Sequence, residues 1–236
     1  MKNIFLDLDG TVTESRSLVT PAMESLLKKL VRRYNVCLIS GAELSQMEKQ
    51  IPGILTKGFF VMPQTGNNVY GKDGQELWKW KLDWRQQLAV LRHIEVLKRF
   101  NKIKPLTSEA DTVENRGCQI SYSAIGHHAL LELKKKFDSN GEKRSYWLKK
   151  APLKSKIIEA RAGGTTCIDY TAKGRHKGTN VLALVRFNKW KIKDTVYLGD
   201  ALYKGGNDEA VIGVCRTILV KNPQETYDIL SRYFKK

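Results

Sequence analysis

Short apolar runs alternate with amphipathic segments over the first 62 residues. Apolar runs at 3–7, 36–39 and 59–62 predict three buried strands. Between the first two, Thr20-Pro21 predicts a helix start, with Thr20 as the N-cap residue and Pro21 in the first turn. This alternation predicts an α/β fold with a parallel sheet covered by helices, and ligands at the carboxyl ends of its strands.

The pattern changes after about position 65 and returns near position 173. Turn residues around 67–68 and 72–74 predict a small hairpin. We therefore predict a Rossmann-like parallel-sheet domain, residues 1–80 and 173–236, interrupted by an α+β unit at 81–172. Within that unit we predict helices at 84–100, 128–138 and 144–161 and strands within 110–125 and at 164–171; after it, a helix at 178–188, strands at 195–198 and 217–220, and a helix from Pro223.

Charge and composition narrow the class of protein. The chain carries 41 Lys and Arg against 24 Asp and Glu, a formal charge of +17, and this excess is spread along the chain. We therefore expect anionic small molecules rather than nucleic acid as its main partners. The sequence lacks a run of about 18 apolar residues, so we expect no membrane span. The four cysteines are scattered without a zinc-ligand spacing, which indicates a cytoplasmic protein.

Two acidic residues follow the first predicted strand, in the string Asp7-Leu8-Asp9-Gly10-Thr11. Carboxylates at i and i+2 on chain leaving a strand project to the same side. Together they concentrate negative charge that a hard divalent cation such as Mg²⁺ would balance. Gly10 allows the backbone to turn and to approach a ligand closely. The alternative is a turn without chemistry.

Two further segments are typical of phosphate sites. Ser40-Gly41 follows the second predicted strand, where a hydroxyl and adjacent amides could hold a phosphate. Lys177 stands at the start of the predicted helix 178–188, where a cation opposes the helix dipole unless an anion is bound. Each segment alone is also compatible with an ordinary turn or a solvated surface lysine.

A glycine-rich loop at 199–208 follows the predicted strand 195–198 and contains Asp200, Asn207 and Asp208. These segments, in this order, resemble the motifs of the haloacid dehalogenase superfamily. The inserted unit resembles the type-two B cap of that superfamily, and nearly the whole chain is similar to the eukaryotic-type phosphomannomutases.

The resemblance implies a mechanism as well as a fold. Asp7 would be the nucleophile and form an aspartyl phosphate, with Asp9 as its acid and base partner. Mg²⁺ would be held by Asp7, the backbone carbonyl of Asp9 and Asp200, with Asp208 nearby. The phosphoryl group would be bound by Thr11, Ser40, Gly41, Lys177 and Asn207.

The cap departs from the pattern of the mutases. His127 and Lys134 stand where the family carries arginines, and Cys167 replaces a serine that contacts the sugar, while Asp169 is retained. Since arginine binds phosphate bidentately and lysine does not, these changes weaken the grip that a mutase needs on its intermediate. Substrate contacts are expected from the following residues: Arg16, Arg116, His127, Lys134, Cys167 and Asp169.

Three functions remain open. We favour a Mg²⁺-dependent phosphatase of a sugar phosphate or a similar small metabolite. The second is a phosphomannomutase, which interconverts sugar 1- and 6-phosphates. The third is a basic nucleic-acid-binding module with a vestigial site. The resemblance also implies a homodimer formed through the cap.

Overall fold

The computed structural model describes residues 1–138 and 140–233, and these form two compact units. The first unit contains Met1–Lys79, His176–Tyr203 and the chain from Asp208 onward. The second contains Trp80–Arg175 and the short segment Lys204–Asn207. Among the described residues, every helix is too short or too polar to cross a membrane.

The main elements alternate along the chain. The strands are β1 (Asn3–Asp7), β2 (Asn35–Ile39), β3 (Phe60–Met62), β4 (Asn68–Tyr70), β5 (Glu76–Lys79), β6 (Val113–Asn115), β7 (Ile120–Ser123), β8 (Ile158–Gly163), β9 (Cys167–Ala172), β10 (Thr195–Gly199) and β11 (Arg216–Leu219). The helices are α1 (Pro21–Leu30), α2 (Leu44–Gln50), α3 (Trp84–Asn101), α4 (Leu131–Asp138), α5 (Glu142–Lys150), α6 (Lys177–Phe187) and α7 (Pro223–Tyr233).

The first unit is built on a seven-stranded sheet with the order β11-β10-β1-β2-β3-β4-β5. The strands from β11 to β3 are parallel, and β4 and β5 add an antiparallel hairpin at one edge. At the start of β1, the buried Asn3 donates to Thr195 Oγ1 and accepts from Asn35, which ties β1 to both neighbours. The predicted α/β fold is confirmed.

Alternate residues of β1 face opposite sides of this sheet. Ile4 and Leu6 join the core formed with α1, α2 and α7. Phe5 joins a second core with Tyr197 of β10 and the apolar face of α6. Because side chains in a strand alternate, Asp7 leaves the sheet on the same face as Phe5.

The predicted start of α1 is confirmed by its cap. Thr20 has extended backbone, and its Oγ1 accepts a hydrogen bond from the Met23 amide at 3.3 Å, with Pro21 as the first helical residue. Met23 and Leu27 then point into the core. A side-chain cap of this kind stabilises a helix by roughly 1 kcal/mol.

The second unit has its own sheet, in the order β6-β7-β9-β8, with antiparallel pairing throughout. Helices α3 and α5 pack on it through a separate apolar core that includes Ile94, Trp147 and Tyr170. Helix α3 begins with a capping box, in which Asp83 accepts from the Gln86 amide and Gln86 accepts from the Asp83 amide. Since each helix buries one face against the sheet, this unit is an α+β structure.

The prediction of one helix over 144–161 is wrong. Helix α5 ends at Lys150, and β8 occupies Ile158–Gly163. Ala151 leaves the helical conformation, with φ −121° and ψ 70°, because the residue before a proline is pushed out of the α region. Strand β8 then pairs with β9 along its whole length. The helix predicted at 128–138 starts later, at Leu131.

A buried ion pair fixes the loop that precedes β9. Arg144 of α5 is 1 % exposed and binds the Asp138 carboxylate, with Nε and Oδ2 2.8 Å apart. Its Nη1 also donates to the carbonyl oxygens of Gly163, Gly164 and Cys167, at 2.6 to 2.9 Å. The pair therefore determines the backbone position of Cys167.

Candidate active site

Three charged side chains meet at the carboxyl end of β1. Lys177 Nζ lies 2.5 Å from Asp7 Oδ1 and 2.6 Å from Asp208 Oδ1. All three residues are buried, at 2 % exposure or less. Lys177 is the first residue of α6, whose N-cap is His176. The predicted helix-start lysine is therefore in direct contact with the predicted nucleophile.

Strand β10 and the loop that follows it hold Asp208 in this cluster. Tyr197 is buried and its hydroxyl donates to Asp208 Oδ1 at 2.6 Å. The amide of Ala201, just beyond the strand, donates to Asp208 Oδ2 at 3.3 Å. Asp208 therefore has both of its oxygens fixed by hydrogen bonds.

Asp7, Asp200 and Asp208 form a compact group of carboxylates. One oxygen from each lies within 4.8 Å of the others. Burial raises the pKa of Asp7 well above its usual value, and the charges of Asp208 and Asp200 add to this although Lys177 opposes it. Burial and the Asp208 charge raise the pKa of Asp200 to about 6. Three carboxylates around one ammonium group thus hold excess negative charge.

The ammonium group of Lys177 stays protonated inside this cluster. Burial alone would lower the pKa of Lys177, but the carboxylates of Asp208 and Asp7 outweigh it and raise that pKa. The lysine therefore provides a permanent positive charge beside Asp7.

The absence of a side chain at Gly10 leaves space for the Asp200 carboxylate. Gly10 has φ +79°, and a Cβ built on it would lie 2.5 Å from Asp200 Oδ2. A side chain at position 10 would therefore suffer both an unfavourable backbone conformation and a collision with the acidic cluster.

Asp9 lies outside the group of three carboxylates and is held separately. Its Oδ1 accepts from the backbone amide of Arg16 at 2.7 Å and from Gln50 Nε2 at 3.1 Å. The same Gln50 nitrogen also donates to Thr13 Oγ1 at 2.8 Å. Among residues 1–138 and 140–233, Asp9 Oδ2 accepts no hydrogen bond.

The phosphate-site residues of β1 and β2 lie at one edge of the sheet. Asp7 is paired with Ile39 in register, so Ser40 and Gly41 follow β2 at the level where the Asp7-containing strand ends. Ser40 Oγ accepts from the Ala42 amide at 3.1 Å. Thr11 Oγ1 is buried and, within the described part of the chain, has no hydrogen-bond partner. A buried hydroxyl without a partner is typical of a site that a polar ligand completes.

A comparison with protein-family models identifies the family of this chain. The model of the family "Eukaryotic phosphomannomutase" matches residues 23–236. The chain belongs to the eukaryotic phosphomannomutase family. It is accordingly a member of the haloacid dehalogenase superfamily and an enzyme of the phosphotransferase type.

Curated relatives match over nearly the full length of the phosphomannomutase-family chain. The phosphomannomutase of Encephalitozoon cuniculi is 26 % identical over 252 residues, covering 100 % of this chain and 94 % of the relative. That of Drosophila melanogaster is 29 % identical over 248 residues, covering 97 % and 93 %.

Solved structures share the fold at lower identity. An IMP-bound, N-terminally truncated IMP-nucleotidase of Plasmodium falciparum has a TM-score of 0.69 at 16 % identity, over 98 % of this chain and 67 % of that one. A haloacid dehalogenase-like hydrolase from Bacteroides thetaiotaomicron has a TM-score of 0.64 at 13 % identity, over 99 % of both chains.

Four of the predicted cap residues lie together in the second unit. Arg116 pairs with Glu114 through Nε at 3.0 Å and Nη2 at 2.5 Å. His127 Nδ1 is 3.8 Å from Cys167 Sγ. Lys134 Nζ donates to the backbone carbonyl of His127. The ammonium group of Lys134 thus binds the protein's own backbone, while the family pattern has an arginine at this position.

Asp169 lies on the sheet of the second unit, and its carboxylate makes a separate hydrogen bond. Its Oδ1 accepts from Ser121 Oγ at 2.6 Å, across the β7–β9 pairing. The remaining two predicted binding residues are Arg16 and Asn207. Arg16 is exposed in the first unit, with φ 55°, and Asn207 belongs to the segment Lys204–Asn207 of the second unit.

Three polar residues of the site were missed from the sequence: Tyr197, Gln50 and Thr13. Tyr197 had a weak signal, since it is a polar-tipped residue inside an apolar strand two positions before Gly199. Gln50 is 0 % exposed but stands in a polar helical stretch, so the sequence pattern alone gives no reason to place it against Asp9.

Proposed function

We propose that this chain transfers a phosphoryl group from a sugar phosphate, with Asp7 as the nucleophile. The observation that carries the proposal is the buried contact of Asp7 with Lys177, beside Asp208. This contact holds the attacking carboxylate next to a cation that can stabilise the phosphoryl oxygens.

The acidic cluster fits a magnesium ion. Asp7, Asp200 and Asp208 offer carboxylate oxygens, the ligand type that Mg²⁺ prefers, at mutual distances of 4.8 Å or less. The raised pKa values of Asp7 and Asp200 reflect, after burial, repulsion that a divalent cation would relieve. These residues, with the carbonyl of Asp9, would hold the ion. When bound, Mg²⁺ would neutralise phosphate charge and orient the phosphoryl group.

The chain's own groups supply the covalent and proton steps. Asp7 attacks phosphorus and becomes an aspartyl phosphate, and the alcohol oxygen of the sugar leaves. Asp9, whose Oδ1 is held by Arg16 N and Gln50, gives the leaving oxygen its proton from Oδ2. Asp9 then removes a proton from the acceptor hydroxyl, which attacks the aspartyl phosphate and regenerates Asp7. Thr11 Oγ1 is available to donate to the phosphoryl oxygens.

We propose water as the main acceptor, which makes the enzyme a phosphatase. A mutase must retain and reorient a bisphosphate intermediate, which requires strong cationic contacts in the cap. In this chain Arg116 is paired with Glu114, and Lys134 binds the carbonyl of His127. These contacts reduce the cationic groups that remain for a second phosphate.

Phosphomannomutase activity is the second candidate. The family match over residues 23–236 and the names of the curated relatives favour it. In that case the acceptor is a sugar hydroxyl instead of water, and the chemistry of Asp7 and Asp9 is unchanged.

One assay separates the two. The protein is incubated with Mg²⁺ and a panel of hexose monophosphates, with and without a hexose bisphosphate, and both released phosphate and isomerised sugar are measured. Phosphate release without isomerisation supports the phosphatase, and isomerisation that depends on the bisphosphate supports the mutase. Absence of both products, with the protein folded, contradicts the proposal.

Asp7→Asn tests the nucleophile itself. We expect turnover to fall by about 1,000-fold or more, because the amide cannot form the phosphoenzyme. Asp73→Asn, the same chemical change at an exposed turn, is the matched control and should leave turnover unchanged. An active Asp7→Asn enzyme with normal circular dichroism excludes Asp7 as the nucleophile.

We also propose that the enzyme is a cytoplasmic homodimer that associates through the second unit. Trp84, Leu88 and Leu91 are exposed on α3 at the i, i+4, i+7 spacing that aligns them on one helix face. Light scattering of the wild type and of Leu91→Glu tests this: we expect a dimer that the substitution dissociates, and a monomeric wild type contradicts it.

A further inference from the structure

A cysteine, a histidine and a carboxylate lie close together in the second unit, with the thiol and the carboxylate near the same ring nitrogen. Cys167 Sγ is 3.8 Å from His127 Nδ1, and the same nitrogen is 3.6 Å from Glu114 Oε2. Cys167 opens β9, while His127 follows β7 after a tight turn. None of these contacts is needed for the transfer of a phosphoryl group from substrate to Asp7.

The proton position on His127 follows from its other nitrogen. Nε2 lies 3.2 Å from the backbone carbonyl of Ser121, which can only accept, so Nε2 carries a hydrogen. In the neutral ring Nδ1 is therefore the basic nitrogen, and it faces the Cys167 thiol. Once Nδ1 takes the thiol proton, the imidazolium is stabilised by Glu114 on one side and by the Ser121 carbonyl on the other.

The groups around Cys167 and His127 shift the pKa values of these two side chains in opposing directions. Burial alone would raise the pKa of Cys167, but the hydrogen bond and the charge of His127 lower it. The charge of Asp169 raises this pKa and that of Arg116 lowers it, and the net shift is downward. Burial alone would lower the pKa of His127, but Cys167 and Glu114 raise it against Arg116. Thr166 Oγ1 lies 3.8 Å from the sulfur.

Cys167 also differs from the other three cysteines. Cys37 and Cys118 are buried. Cys215 is half-buried like Cys167, but burial raises the pKa of its thiol to about 11 and no basic group opposes this. The chain therefore contains two partly buried thiols whose surroundings shift the thiol pKa in opposite directions.

We propose that Cys167 is a nucleophilic thiol site, activated by His127 and Glu114, that forms a mixed disulfide with small-molecule disulfides. His127 Nδ1 first removes the thiol proton. The Cys167 thiolate then attacks one sulfur of the disulfide R–S–S–R, its S–S bond breaks, and a new S–S bond to Cys167 forms. The leaving R–S⁻ takes the proton back from His127 and departs as a thiol, so the exchange needs no other oxidant.

The adduct would occupy the polar cluster of Arg116, His127 and Asp169 and thereby inhibit turnover reversibly. This consequence rests on the proposed function, whereas the thiol chemistry does not. An excess of a small thiol reverses the exchange and releases Cys167.

The first test measures thiol reactivity on the folded protein. Dithiodipyridine is added to the wild type, Cys167→Ser and Cys215→Ser, and the released thiopyridone is followed with time. We expect one fast equivalent in the wild type and in Cys215→Ser, and its loss in Cys167→Ser. A fast phase that survives in Cys167→Ser, or that Cys215→Ser removes, overturns the proposal.

The second test addresses the role of His127. His127→Gln keeps a donor for the Ser121 carbonyl and removes the base at Nδ1, and we expect the rate at pH 7 to fall about 3- to 10-fold, because the thiolate fraction falls while each thiolate becomes more nucleophilic. Circular dichroism checks that this variant folds. If it does not, the wild-type pH profile of alkylation by iodoacetamide decides. A midpoint at or above about 8.5, the value of an ordinary thiol, overturns the activation.

The third test concerns turnover. The wild type is treated with oxidised glutathione, its mass and phosphate-releasing activity are measured, and dithiothreitol is then added. We expect a single adduct, loss of activity, and recovery on reduction, while Cys167→Ser keeps its own untreated activity. An adduct on Cys167 without any change in turnover overturns the inhibitory role. An enzyme inactive before treatment contradicts the proposed function instead, and leaves the two thiol assays as the test of the site.

Discussion

Gly10 and Asp200 approach each other so closely that a methyl group at position 10 would lie 2.5 Å from the Asp200 carboxylate oxygen. We expect Gly10→Ala to displace Asp200 and to reduce turnover by at least about 100-fold, since misplacement of a catalytic group by about 1 Å has costs of this size. Steady-state kinetics at saturating Mg²⁺ measure the change.

A control variant at a second glycine separates the effect of the steric clash from the effect of backbone strain. Gly213 has φ +83°, close to the value at Gly10, but nothing lies within 4 Å of its added Cβ. Gly213→Ala should therefore lower the free energy of unfolding by about 1 kcal/mol and leave turnover unchanged. Equal losses of turnover in both variants would show that strain alone, and not contact with Asp200, is responsible.

The hydroxyl of Tyr197 positions Asp208 through a 2.6 Å hydrogen bond. We predict that Tyr197→Phe raises the Mg²⁺ concentration for half-maximal activity about 10-fold, in the range known for partners of metal ligands. Titration of activity with Mg²⁺ after removal of metal by a chelator measures it. Tyr227→Phe, on the distant helix α7, is the control and should not shift the titration. An unchanged requirement in Tyr197→Phe contradicts the metal-ligand role of Asp208.

Loss of the buried Arg144 should destabilise the second unit strongly. In Arg144→Met the Asp138 carboxylate remains buried without its partner, and four backbone carbonyls lose the hydrogen bond from Arg144. We expect the free energy of unfolding to fall by about 3–5 kcal/mol. Urea titration followed by circular dichroism measures this.

The comparison for that variant is Arg161→Met. Arg161 pairs with Glu159 at 3.6 Å, but 42 % of its side chain is exposed. Because an exposed pair contributes at most about 1 kcal/mol, this substitution should be nearly neutral. Similar losses of unfolding free energy in the two variants would mean that the burial of Arg144 does not increase its contribution to stability.

His93 makes the stability of the second unit depend on pH. Its Nε2 donates to the Ala151 carbonyl at 2.8 Å and its Nδ1 accepts from the Tyr170 hydroxyl at 2.9 Å, and burial lowers the pKa of the ring below 6.5. As pH falls through about 6.5, the unfolded state takes up a proton on His93 before the folded state does. Stability must therefore fall on acidification until the lower, folded pKa is reached.

Two measurements check this. The NMR titration midpoint of the His93 ring should lie below 6.5, and the urea midpoint of the wild type should fall more between pH 7.5 and pH 5.5 than that of His93→Gln. A ring midpoint above 6.5 would reverse the sign and contradict the prediction.

The first unit was predictable because its local signals agree with its tertiary structure. Thr20-Pro21 caps α1 as expected, and the strand containing Asp7 is apolar on both faces because helices cover both sides of the sheet. The second unit was harder to predict because its elements are short. Residues 151–157 show no strong turn signal besides Pro152, and only pairing with β9 determines that Ile158 starts a strand.

Site residues were predictable where they belong to a motif and not where they come from packing. Asp7, Lys177 and Asp208 stand in motifs, and the structure places them in contact. Gln50 and Arg144 occupy polar helical stretches whose pattern predicts solvent-exposed faces, yet both side chains are buried. Contacts with residues distant in sequence decide which face of a short polar helix is buried. The local sequence pattern therefore does not predict it.

The contact between Asp7 and Lys177 joins positions 170 residues apart, and β1 is bordered by β2 on one side and by β10 on the other. During synthesis, β1 can pair with β2 early, but its second edge stays open until residues 195–199 have left the ribosome. The apolar core of the second unit lies between Leu82 and Ala172, so it can form before that, although Lys204–Asn207 also belong to this unit. The cluster of Asp7, Lys177 and Asp208 is therefore completed only near the end of translation, and a truncated product that lacks β10 and Asp208 cannot form it.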